Sequence, residues 1–311
     1  MSKHIWILSD GKAGHLSQTR GLAGALIAQT GGQSYEIDLE DKGFFGKLKT
    51  IWKQRSEVPP DFIIAAGHGT HLPLLLCGWL YKKAKIIVCM KPSFPAKWFD
   101  FCIVPRHDLT SDVLDHPPAH IIPTLGALHG VHPSPESPKT FMLMLIGGPS
   151  KEYGWDGKRV IEQLKAVSSG QSAVGSQQSD AKFLLTTSRR TPAGFVDALK
   201  IACPAIDVVP VEETPRGWVA EKLAGATAVW VTRDTVSMIY EALGSGAPVG
   251  LLNMPPLLPD GKKKSRVAKG IEMLEGEGWV TLFDTWKKTG ILKSKGALVE
   301  VDRVANILLN D

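Results

Sequence analysis

In ILSDGKAGHLSQTRGLAGAL (Ile7–Leu26) an apolar run stops at Ser9, and the turn after it carries Asp10, Gly11, Lys12, Gly14 and His15. Aspartate and histidine can both handle a proton at neutral pH if suitably placed. Gly11 and Gly14 permit backbone conformations that most residues avoid, and they let a ligand approach the chain. A helix expected from about Ser17 would add unpaired N–H groups and a positive dipole end. The G-x-x-x-x-G-K-[ST] loop is absent and G-x-G-x-x-G is incomplete. A structural turn, with a capping Asp10 and a solvated His15, therefore explains these residues as well as a ligand seat does.

Three further stretches join candidate chemistry to strand ends. MLIGGPSKEYGWD (Met144–Asp156) places Gly147, Gly148 and Ser150 after an apolar run. Paired glycines there suit either a tight turn or backbone amides facing a phosphate. LLTTSRRTP (Leu184–Pro192) sets Arg189 and Arg190 where a strand opens, and guanidinium forks match diphosphate oxygens. VWVTRDTVSMIYEALGSGAPVGLLN (Val229–Asn253) begins a helix at Asp234 and puts Ser237 and Glu241 four apart on one helical face. A carboxylate on that face can accept both hydroxyls of a ribose; on an ordinary helix it only meets solvent.

Positioning these residues requires strands that alternate with helices. Strands are expected at His4–Leu8, Tyr35–Leu39, Asp61–Ala66, Lys85–Met90 and Phe101–Pro105. The rhythm restarts at Thr140–Ile146, Lys182–Thr186, Asp207–Val211, Ala228–Thr232, Pro248–Asn253 and Trp279–Phe283. Near-continuous apolar runs fit parallel sheets covered on both faces, so the fold class is α/β, with two Rossmann-like doubly wound domains. With 311 residues, two domains are the default. The expected division is 1–125, a Pro- and Ser-rich linker over 126–139, and 140–311, with the last helix packing back on the first domain. Such a pair implies a ligand cleft at the strands' carboxyl ends. Ser168–Asp180 reads as a surface loop.

The series SDGKAGHLSQTRGLA, GGPSKEYGWD, TTSRRTP and TRDTVSMIYEA resembles the mitochondrial fission protein family first associated with elongated plant mitochondria. Bacterial members of that family are regarded as glycosyltransferases. EALGSGAPV also looks like the nucleotide-sugar segment of GT-B glycosyltransferases, including the lipid II-forming GlcNAc transferases. The resemblance implies a GT-B-like fold with the nucleotide sugar held mainly by the C-terminal domain. Carried over, Glu241 holds the ribose, and Ser237 and Asp234 line the same pocket. Gly147, Gly148 and Ser150 sit near the diphosphate, with Arg189 and Arg190 as charge partners. His15 or Asp10 faces the acceptor, with Gly11, Gly14 and His68 on that side. Many GT-B enzymes carry another Glu seven or eight residues before the ribose-binding one. Arg233 and Asp234 occupy that neighbourhood here, which argues against a retaining mechanism.

Composition bounds the rest. Hydrophobic residues make up 43%, charged residues 22%, and the net charge of +5 favours anionic partners. No run approaches the ~20 apolar residues that span a bilayer, and the N-terminus lacks a signal peptide's cleavage site. Cys77, Cys89, Cys102 and Cys203 sit in apolar runs without a C-x-x-C pair, as buried thiols of a cytoplasmic protein. Asp-x-Asp is missing, and His68 and His71 lack a nearby third ligand, so no metal is expected. No cofactor is expected beyond the nucleotide-sugar donor. GFFGKLKTIWKQR (Gly43–Arg55) can lie on an anionic membrane or pack in the core, and GKKKSRVAKG (Gly261–Gly270) can serve phosphate or simply meet water. Neither patch resembles a nucleic-acid platform. The resulting expectation is a metal-independent, inverting transferase acting on a glycolipid or cell-envelope acceptor at the inner membrane face. The alternatives are a sugar-nucleotide 2-epimerase and a non-catalytic membrane adaptor.

Overall fold

The structure is a computed structural model that describes residues 2–40, 42–53, 58–170, 182–257 and 266–311. Residues 171–180 of the polar segment Ser168–Asp180 and 261–265 of Gly261–Gly270 lie outside those residues, as does Arg55. The chain divides into two units, Met1–Gly130 with Val299–Asp311, and Val131–Leu298.

In the first unit, β1 (His4–Ser9), α1 (Ala13–Thr30), β2 (Gln33–Asp38), α2 (Phe44–Lys53), β3 (Phe62–Ala65) and α3 (His71–Leu80) come first. β4 (Lys85–Val88), β5 (Phe101–Pro105), α4 (Ser111–Asp115) and β6 (Ile121–Thr124) follow. The described strands form a parallel sheet in the order β2-β1-β3-β4-β5-β6, with Leu8 opposite Ala65. Burial of both faces explains why HIWILS and FIIA read as unbroken apolar runs. β6 was not foreseen from sequence because of Pro123. It forms the sheet's edge, where a proline's missing N–H breaks no ladder.

The second unit runs β7 (Phe141–Leu145), α5 (Gly157–Gly170), β8 (Lys182–Thr186), α6 (Phe195–Ala202), β9 (Ile206–Val209) and α7 (Trp218–Ala224). It continues with β10 (Ala226–Thr232), α8 (Val236–Gly244), β11 (Val249–Leu252), α9 (Arg266–Gly276), β12 (Val280–Leu282) and α10 (Phe283–Thr289). Its parallel sheet has the order β12-β11-β10-β7-β8-β9. The closing helix α11 (Glu300–Asn310) belongs to the first unit. Val301, Val304, Ala305 and Leu308, spaced i, i+3, i+4 and i+7, enter the core that α1 fills with Leu22, Ala23 and Leu26. Residues 126–130 stay with that unit, with Leu128 in the same core, whereas 131–139 go with the second.

α1 begins at Ala13 rather than near Ser17. The Lys12 carbonyl already accepts the His15 and Leu16 amides at 3.0 Å each, so Gly14 and His15 lie in the helix's first turn. Between β3 and α3 a tight turn spans His68–Thr70, and His71 is fully buried. Its Nδ1 accepts the Ser93 N–H at 3.0 Å, which leaves the ring neutral. Burial first, then the neighbouring His68 and His15, pulls its pKa down to about 4.

Two outcomes follow. Leu308→Ala should cost about 2–5 kcal/mol and lower the melting temperature by several degrees, because α11 closes the first core; an unchanged thermal melt would place α11 outside that core. Below its ordinary pKa of about 6.5 the unfolded chain binds a proton that folded His71 refuses until about pH 4. Stability should therefore fall as pH drops through that window, by about 3 kcal/mol from this group. Urea midpoints at pH 7 and pH 4.5 should differ less in His71→Gln than in the parent chain.

Candidate functional site

In an open parallel sheet the chain leaves one strand in one direction and a neighbouring strand in the other at the switch point, which opens a crevice at the strands' carboxyl ends. That point lies between β1 and β3 in the first unit, and between β7 and β10 in the second. Three of the quoted motifs leave β1, β7 and β10 at these points, and the Arg189–Arg190 motif leaves β8, the neighbour of β7.

After β1, the Ser9 hydroxyl accepts the Gly11 N–H at 3.0 Å and Asp10 accepts the Lys12 N–H at 3.3 Å, folding the turn back on itself. Gly11 takes the left-handed conformation, with φ 76°. Asp10 and His15 then meet: His15 Nδ1 lies 2.9 Å from both carboxylate oxygens. A carboxylate facing Nδ1 holds the ring proton there and leaves Nε2 as the proton acceptor. Gly67, after β3, closes over the pair. Its φ is 97°, and a Cβ there would stand 2.3 Å from Asp10 Oδ2 and 2.6 Å from His15 Nδ1. Beyond it, Ser93 Oγ lies 2.6 Å from His68 Nδ1 and 3.1 Å from His71 Nδ1, and His68 is exposed. Asp10 and His15 therefore act as one unit, and Ser93, which the sequence reading passed over, organises the histidines beside them.

The second unit's loops are tied by one carboxylate. Asp234 has a fully buried side chain, and its Oδ2 accepts the Gly148 N–H at 3.0 Å, Arg190 Nη2 at 2.7 Å and the Thr235 hydroxyl at 2.9 Å. The Gly147 N–H donates to Thr232 Oγ1 at 2.7 Å. Arg190 Nη1 donates to the Gly148 and Pro149 carbonyls, and the Thr191 hydroxyl donates to the Gly147 carbonyl at 2.6 Å. A Cβ on Gly147 would stand 2.2 Å from Asp234 Oδ2, and one on Gly148 would stand 2.1 Å from the Arg190 carbonyl. The glycines are there because three loops converge on this carboxylate.

This arrangement shows how the expected site residues are engaged within the unit. The Gly147 and Gly148 amides are bonded inside the unit. The Asp234 side chain has no exposed surface. Arg190 is paired with Asp234 while its side chain stays 42% exposed. Ser150 is likewise engaged, its Oγ accepting the Glu152 and Tyr153 amides across a turn. Arg189 is exposed, and Ser237 and Glu241 stand half-buried on α8.

Arg233 supplies a cation that the sequence reading noted only as a departure from pattern. It is partly buried at the end of β10, and its Nε has no hydrogen-bond partner among the described residues. It faces Tyr153, whose pKa burial raises and Arg233 opposes. The signal was its place directly after a buried strand. Tyr153 comes from the loop after β7 and pairs with Pro256 from the loop after β11.

Among the described residues, no group of three His, Cys, Asp or Glu side chains is placed to hold a metal ion. No described helix is long and apolar enough to cross a membrane. All four cysteines are buried and unpaired; burial pushes the thiols of Cys77 and Cys102 up to about 12.

Comparison with known proteins adds the following. RP120, an uncharacterized protein of Rickettsia prowazekii (strain Madrid E), is 26% identical over 306 residues, covering 81% of this chain and 84% of its own. The structure is similar to the UDP-GlcNAc 2-epimerase of Methanocaldococcus jannaschii, with TM-score 0.59 and 12% identity over the whole of both chains. It is also similar to MurG of Acinetobacter baumannii, with TM-score 0.54 and 12% identity over 99% of this chain and 100% of that one. At such identities the likeness establishes the fold, which is of the GT-B type. The profile described as mitochondrial fission ELM1 matches residues 13–311, so the chain belongs to the mitochondrial fission ELM1 family.

Proposed function

We propose that the chain is a glycosyltransferase that moves a sugar from a nucleotide-diphosphate sugar to a hydroxyl of a glycolipid or cell-envelope acceptor, with inversion at the anomeric carbon. The Asp10–His15 pair carries this reading: an imidazole held at 2.9 Å by a carboxylate, with Nε2 as proton acceptor, at the carboxyl end of β1. A GT-B fold shared with MurG and a UDP-GlcNAc 2-epimerase supports a sugar-nucleotide donor.

In this reading His15 Nε2 takes the acceptor hydroxyl's proton as its oxygen bonds to the anomeric carbon. The bond from that carbon to the diphosphate breaks, and the nucleoside diphosphate leaves with the electron pair. Asp10 stabilises the imidazolium that forms. His68 and the Gly11–Gly14 turn sit on the acceptor side. In the second unit, Glu241 accepts ribose hydroxyls with Ser237 beside it, and Arg189 and Arg233 meet the charge gained by the diphosphate. Asp234 and Arg190 hold the loops rather than the ligand. The acceptor is met at the inner face of the membrane.

A thermal-shift screen of UDP-, GDP-, CMP- and ADP-sugars should single out one nucleotide class. At a hundredfold excess over Kd, binding adds about 2.7 kcal/mol and raises the melt by several degrees. Glu241→Ala and Arg189→Ala should each weaken that binding about tenfold or more in calorimetry. If both bind as the parent does, the donor site is misplaced. Asp234→Asn should instead lower the ligand-free melt, at a cost of about 2 kcal/mol.

His15→Ala should cut transfer by about 10²- to 10⁴-fold with donor affinity retained, and Asp10→Asn should impair the rate without abolishing donor binding. Unchanged turnover in His15→Ala would remove the base from this account. Incubating a labelled nucleotide sugar without acceptor separates the epimerase alternative, since inversion at C2 of the sugar would favour it.

A further inference from the structure

Sheet faces of the first unit are covered differently. α1 and α11 meet over one core, whereas α2 and α3 lie side by side over the other and leave an apolar surface outside. Ile51 and Leu74 point inward and are buried. Outward, Phe45 is 83% and Trp52 58% exposed on α2, and Leu72 is 41% and Trp79 75% exposed on α3. Their spacings, 45 to 52 and 72 to 79, are two helical turns each, so each helix carries one outward stripe. Between the stripes runs a groove lined by Leu48, Trp52, Leu76, Trp79 and Leu80, with Lys49 at its edge. The sequence alone left the α2 stripe open between core and surface. The fold uses Ile51 for the core and leaves Phe45 and Trp52 outside.

The charge around this surface has one sign. Lys47, Lys49 and Lys53 stand on α2, Lys82 and Lys83 follow α3, and neither 42–53 nor 71–83 contains an acidic residue. Exposed tryptophan with lysine in a helical stripe is what an anionic bilayer surface recognises. A protein partner fits less well, because lysine is depleted from protein–protein interfaces. The surface is also wired to the dyad within the same unit. Lys47 Nζ donates to the Gly69 carbonyl at 2.9 Å, in the turn whose Gly67 closes over Asp10 and His15. α3 begins at buried His71 and reaches Trp79 eight residues on, about 12 Å along the helix axis.

We propose that the α2–α3 face seats the first unit on an anionic lipid bilayer, so that the acceptor reaching His15 is one carried on a lipid. The lipid-borne acceptor rests on the glycosyl-transfer reading; the docking itself does not.

Co-sedimentation of the full chain with vesicles tests it without any nucleotide. The chain should pellet with phosphatidylcholine vesicles doped with phosphatidylglycerol and stay in solution with phosphatidylcholine alone. Binding should weaken as salt rises. Phe45→Ser with Trp79→Ser, and separately Lys49→Glu with Lys53→Glu, should each lower the affinity about tenfold or more. Their side chains are exposed, so the thermal melt should stay at the parent's value, which certifies the fold. The proposal is overturned if the chain ignores anionic vesicles, if either folded double variant binds them like the parent, or if the apolar variant instead abolishes a concentration-dependent dimer. Nucleotide-sugar binding read in parallel separates the two ideas: intact donor binding with no vesicle binding sinks only the docking, and the reverse sinks only the transferase.

Discussion

Strands that all run one way must be joined by helices on the sheet faces, and the loops that carry chemistry are then forced to one edge. In each unit the order of strands reverses once, between β1 and β3 and between β7 and β10. At that place neighbouring loops leave in opposite directions, and a crevice opens without any residue being chosen for it. The Asp10–His15 pair and the Asp234 network both occupy such points. The topology supplies the location, and the loop residues supply only the chemistry.

The two points use their polar groups in opposite ways. At β7 and β10 nearly everything polar turns inward. One buried carboxylate would be costly alone, and an amide, a guanidinium and a hydroxyl all donate to its Oδ2. Loops after β7, β8 and β10 are thereby fixed to one another, and Arg189 and Arg233 on them and Glu241 on α8 rest on a rigid base. At β1 and β3 the carboxylate orients a ring whose other nitrogen is left for a proton. Gly67 closes over that pair, since any side chain there would collide with it.

Much of this was legible in the sequence. Near-continuous apolar runs marked the strands because burial on both faces removes the alternation of a half-exposed strand. Phe101–Pro105 and Lys182–Thr186 were legible to the residue, whereas β6 was hidden by Pro123, whose tolerance depends on lying at an edge. His15 was recognisable as a residue for chemistry, yet its place in a helix depended on the Lys12 carbonyl capturing two amides. The stripe of α2 was visible, but which of its residues faced the core depended on where α3 lay beside it.

The sequence by itself determined the fold class, the alternation of most strands and helices, and which loops carry glycine, arginine and acid, because these follow from local periodicity and turn chemistry. Only the tertiary structure decided which polar groups are spent in holding the protein together. Gly148 meets Asp234 across 86 positions and Arg190 meets it across 44, and no local pattern reports a hydrogen bond between such distant loops. Arg189 and Arg190 are alike in sequence. Both are exposed, yet only Arg190 is bound to a buried carboxylate, because only it reaches Asp234 when the strands align.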